Sequence, residues 1–148
     1  MRNPKKTKYG DFEYVVRFHA FSEFKVHVVV TDCIVKSAEA RYPHSDPSRF
    51  GTCPALTIRS ECNATHMFFH LDTIYKPYEI AGNLAHEAWH AVRNMLKWAC
   101  VDDSPFDSET VAYHLGFTVE RATKFFQEVR NDQERRARIA TASKKRNR

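Results

Sequence analysis

Three features of the chain predict an α+β fold with a short mixed or antiparallel sheet. Segments rich in β-branched and aromatic residues come first, at FEYVVRFHAF (12–21), FKVHVVVTD (24–32), ALTIRS (55–60) and THMFFHLD (65–72). Two long segments of helical period come after them. Proline stands at the joints rather than inside either kind of segment.

The elements follow in order. In the second strand Lys25 and His27 alternate with Val26 and Val28 before an all-apolar stretch, the pattern of a strand that passes into the core. Asp32 is placed to N-cap a helix CIVKSAEARY that stops at Pro43. PHSDPSRFGTCP reads as a loop, and ECNA as a short turn between the third and fourth strands. Pro77 suits the first turn of the helix PYEIAGNLAHEAWHAVRNMLKWA, whose Ile80, Leu84, Ala88, Ala91, Met95 and Trp98 form one apolar stripe. Asn83, His86, His90, Arg93 and Lys97 lie along another face. VDDSPFD is a loop, and from Ser108 a second helix runs through SETVAYHLGFTVERATKFFQEV, with an interruption expected at Gly116.

With 148 residues, 43% hydrophobic and 13% aromatic, the chain can bury one core. The expected organisation is a basic N-terminal extension at 1–10, one domain at 11–133 and a disordered basic tail at 134–148. Eleven basic groups against one acid in residues 1–8 and 134–148 give the ends +10, while twelve against seventeen leave the body near −5. Nucleic acid is therefore a candidate partner of the basic ends, through phosphate neutralisation. No apolar run of membrane-spanning length and no signal peptide is legible, so a cytoplasmic protein with no membrane role is expected. Cys33, Cys53, Cys62 and Cys100 contain no C-x-x-C pair, as expected of free thiols.

The residues that carry chemistry are His86, Glu87 and His90, in AHEAWHAV (85–92). Four residues apart on a helix, the two histidines lie within about 40° of each other and can share one ion. Glu87 projects beside them, where it can hold a water without ligating the metal. Shuffling this composition yields H-E-x-x-H in roughly three chains per hundred, so context must support the motif. Catalytic zinc takes three protein ligands and one water, and the downstream candidates for the third are Asp102, Asp103, Asp107, Glu109 and His114.

With a strand, THMFFHLD, just before the motif helix as a cleft-bordering edge, the pattern from about 55 to 126 resembles the zincin metallopeptidases, especially small gluzincin-like members. That resemblance implies a Zn2+-dependent peptide hydrolase acting on a peptide or protein substrate, with Glu109, nineteen residues beyond His90, as third ligand to His86 and His90. It implies Glu87 as the general base acting on a zinc-bound water. Where gluzincins often carry an aspartate four residues after the third ligand, this chain has Tyr113; Asp102 or Asp103 is then expected to orient a zinc-bound histidine, and Tyr113 or His114 to donate to the oxyanion. HEAWHAV followed by E-x-x-A-Y also resembles short proteins encoded by phages and prophages.

Three other readings stay open at this level. His114 is the alternative third ligand of zincins linked to DNA repair, and Cys53, Cys62 and His66 are candidates for a structural zinc. A zincin-like protein without peptidase activity, or a basic-tailed protein that binds nucleic acid or another partner, is the alternative function.

Overall fold

The computed structural model describes residues 4, 6–44, 53–60, 63–101 and 108–146, without the side chains at 108, 145 and 146. Its order is β1 (Phe12–Arg17), β2 (Lys25–Thr31), α1 (Ile34–Arg41), β3 (Ala55–Arg59), β4 (Ala64–His70), a single 3-10 turn (Thr73–Tyr75), α2 (Pro77–Trp98) and α3 (Ser108–Arg146). The protein is α+β, with a four-stranded mixed sheet ordered β1-β2-β4-β3. β2 and β4 run parallel, and each pairs antiparallel with its other neighbour.

This order corrects one expectation. β4 is interior, and β3 is the edge strand beside α2. Met67, Phe68 and Phe69 are consecutive and fully buried, so β4 needs cover on both faces, as do Val28, Val29 and Val30 of β2. β3, ALTIR, is only half-buried over most of its length and tolerates the edge.

The strand period of two sorts the sheet residues between two layers. Phe12, Val16, Val26, Val28, Val30, Met67 and Phe69 pack with Leu84, Ala88, Ala91, Val92 and Met95 of α2 and Phe125, Phe126 and Val129 of α3. On the opposite face Val29 and Phe68 pack with Ile34 and Ala38 of α1.

Local signals account for the helix ends. At α1 the cap position is Cys33 rather than Asp32; the Thr31 hydroxyl accepts the Cys33 N–H at 3.2 Å. Pro77 begins α2 as expected. That helix ends in a Schellman arrangement, with the Val101 N–H donating to the Leu96 carbonyl at 3.0 Å, the Cys100 N–H to Lys97 at 3.3 Å, and Cys100 at a positive φ of 54°.

α3 departs from the expected helix in two ways. It runs through Gly116 without interruption, and it continues across the segment expected to be a disordered tail as far as Arg146. Its last buried residue is Asp132, which both Arg135 and Arg136 contact. Residues 134–144 are exposed, so the final turns stand clear of the body. At the other end the expected extension is tied down, since Lys6 bridges to Phe12 and Arg41 lies over the Tyr9 ring at 4.5 Å. Among the described residues no helix is long and apolar enough to cross a membrane.

Candidate functional site

α2 carries His86 and His90 on its exposed face, one turn apart. Their Nε2 atoms stand 3.1 Å from each other, and their rings meet edge to face at 4.7 Å. Two nitrogens each 2.0–2.1 Å from a tetrahedral ion are about 3.3 Å apart, so the pair already has a chelating separation. Glu87 lies between this pair and the buried stripe: at 100° per residue it is about 60° from His90 and about 70° from the centre of the stripe. It is only 7% exposed. Its main-chain carbonyl accepts the Thr57 hydroxyl at 3.2 Å, so edge strand β3 is fastened to the turn that carries the motif.

The remaining expected members are placed differently. Glu109 is exposed in the first turn of α3, and no donor set within 4.8 Å joins it to His86 and His90. His114 is buried among Phe18 and Phe21, with ring centroids 5.3 Å from each. Burial lowers its pKa, and its Nδ1 has no hydrogen-bond partner. Tyr113 is 68% exposed and borders a cavity of about 140 Å³ with His114, Phe18, Ala20 and Phe117. Asp102, Asp103 and Asp107 lie outside the described residues.

A second cluster sits on the α1 face of the sheet. Glu13 (β1), His27 (β2) and His66 (β4) each place a donor atom within 4.8 Å of the others, a group that could hold a metal ion. His27 and His66 are directly opposite in the parallel register, and their rings stack at 4.3 Å and 17°. Glu13 Oε1 is 2.5 Å from His27 Nδ1, while its Oε2 accepts from Arg41 at 3.1 Å. The His27 hydrogen bond, then that of Arg41, outweighs burial and brings the Glu13 pKa down to about 2. Burial, with His27 close by, brings His66 down to about 4. Tyr42, whose hydroxyl is 2.6 Å from His66 Nδ1, is pushed up to about 12, chiefly by burial.

The alternating residues of three strands were the signal for this cluster, but only the β2–β4 register brings them together. His66 thus belongs with Glu13 and His27; of its expected zinc partners, Cys53 is exposed and Cys62 lies outside the described residues. Comparison with protein-family models, curated proteins and solved structures finds no match to this chain.

Proposed function

We propose that the chain is a zinc-dependent peptide hydrolase, zincin-like in its use of His86-Glu87-x-x-His90. The observation that carries this reading is the 3.1 Å approach of the two Nε2 atoms beside a buried glutamate. His86 and His90 would hold the ion, and Glu109, as the gluzincin resemblance implies, would complete the set by moving inward from the start of α3. A zinc ion in such a site supplies a bound water with a pKa near 7 and polarises a carbonyl.

The chain's own residues do the rest. Glu87 takes the proton of the attacking water and hands it to the leaving amine nitrogen. From its helical position, about 60° round from His90, the Glu87 side chain would turn toward the pair to meet that water. Among the described residues β3 has one edge without a strand partner, along which an extended peptide can add as a further strand. Thr57 links that edge to the Glu87 turn, so substrate and base are referred to one local frame.

Zinc content and cleavage of a proteome-derived peptide library test the reading together. Glu87→Gln is expected to keep zinc and lose cleavage, whereas His86→Ala with His90→Ala loses cleavage together with one equivalent of zinc. Undiminished cleavage by either variant overturns the proposal. Zinc at the helix site without any cleavage by the unmutated chain would identify a zincin-like protein without peptidase activity.

A further inference from the structure

We infer that Glu13, His27 and His66 form a second metal site, for a divalent first-row transition ion such as zinc, on the sheet face opposite α2. Three strands supply one ligand each, so the site spans β1, β2 and β4. Two imidazoles and one carboxylate suit this class of ion, whereas magnesium and calcium favour oxygen-only sets.

The groups around the three donors hold them as outer partners hold metal ligands. Arg41 Nη2 occupies Glu13 Oε2 and leaves Oε1 directed to His27. Tyr42 occupies His66 Nδ1 and fixes the plane of that ring, leaving the other nitrogen as ligand. Arg41 is itself positioned by Asp11, 2.7 Å from its Nη1, which adds a second negative charge beside the site.

Glu13 Oε1 and His27 Nδ1 stand 2.5 Å apart, joined by a hydrogen bond. Ligands around a tetrahedral ion at about 2.0–2.1 Å stand about 3.3 Å apart, so the pair needs to open by less than about 1 Å. Entry of the ion replaces this hydrogen bond with metal–ligand bonds, and the proton of that bond leaves to solvent. A site spanning three strands, one of them reached through the α1 crossover, would fasten the sheet on the face that α1 covers.

The test uses the full chain carrying His86→Ala and His90→Ala, stripped of metal and dialysed against Zn2+. This variant is expected to bind close to one equivalent, with affinity reduced at least tenfold by adding Glu13→Gln or His27→Ala. Tyr42→Phe keeps the ion but binds it about 10- to 100-fold more weakly, as loss of an outer partner does. In the unmutated chain, ring nitrogen resonances of His27 and His66 shift on zinc addition while those of exposed His19 do not, a readout that needs no variant to fold. Absence of zinc from the folded helix-site variant, binding that Glu13→Gln leaves unchanged, or unmoved His27 and His66 resonances would each overturn the inference. Because the helix site has been removed in this background, failure here leaves the peptidase proposal standing, and the reverse also holds.

Discussion

Thr57, on the edge strand, donates its hydroxyl to the carbonyl of Glu87, at the first turn of the histidine motif. That carbonyl already serves the helix's own ladder, so the bond is an added link between edge strand β3 and the helix that bears the histidine pair. Thr57→Val removes the donor at nearly constant volume and is expected to lower stability by about 1 kcal/mol, measured by urea unfolding. Peptide cleavage should fall by a larger factor than zinc affinity. Equal losses of the two would show that the bond only supports the fold.

Arg41 and Asp11 make the most buried ion pair among the described residues, with side chains each 6% exposed and 2.7 Å apart. The same guanidinium reaches Glu13, while Ser37 donates to Asp11 at 2.7 Å. Arg41→Ala leaves the Asp11 carboxylate buried with one neutral donor, at a cost of about 3–5 kcal/mol. Arg41→Lys is expected to recover less than half of it, since an ammonium cannot span both acids with a planar fork. Chemical denaturation of the two variants checks the ranking; a fully stable Arg41→Lys protein would contradict it.

The fold class was legible because each strand and helix carries its own period, and spacing alone found most of the α2 stripe: Leu84, Ala88, Ala91 and Met95 are buried, whereas Ile80 near the start is half-buried and Trp98 at the end is exposed. The strand order was not. Nothing in THMFFHLD says which neighbour it takes, and only the consecutive burial of Met67, Phe68 and Phe69 betrays an interior strand. The histidine pair was visible because its geometry is local to one helix. Glu13, His27 and His66 are 14 and 39 residues apart in sequence, and period two puts each on one face of its strand without saying that the faces adjoin. For α3, charge density pointed to a disordered tail, but RNDQERRARIATASKKR holds no proline or glycine, and the body already supplies the helix nucleus that it continues.

The α1-face cluster also makes stability depend on pH in the metal-free protein. Glu13 titrates near 4.5 when unfolded and about 2 when folded; His66 goes from 6.5 to about 4. Both folded values are depressed, so the unfolded chain binds more protons throughout each interval and stability falls as pH falls. The His66 contribution is complete above about 6.5 and is lost toward 4; that of Glu13 is complete above about 4.5 and lost toward 2. At about 1.4 kcal/mol per unit, the full excursion of each group is worth at most about 3 kcal/mol, and less where solvent screens it. Unfolding free energies measured with chelator from pH 7 to 3 should show this decline, and His66→Gln should flatten it between pH 6.5 and 4. An unchanged slope in that variant would remove His66 as the cause.

The last turns of α3 supply a final prediction. Residues 134–144 are exposed, and 134–148 hold seven basic groups against Glu134, so deleting 134–148 removes no buried side chain among the described residues. Asp132 loses Arg135 and Arg136, its partners one turn further along the helix. The cost is therefore expected to stay below about 1 kcal/mol, because each of these pairs has one half-exposed partner. Zinc content and peptide cleavage should be unchanged, and far-UV circular dichroism should fall by roughly the helix removed. Low-salt binding of a duplex oligonucleotide gives the segment's electrostatic role: with Arg135, Arg136, Arg138 and Lys144 along a projecting helix, deletion should weaken binding and flatten its salt dependence. Equal binding by the intact and shortened chains would show that this helix end makes no contact with phosphate, leaving its charge as a solubilising surface alone.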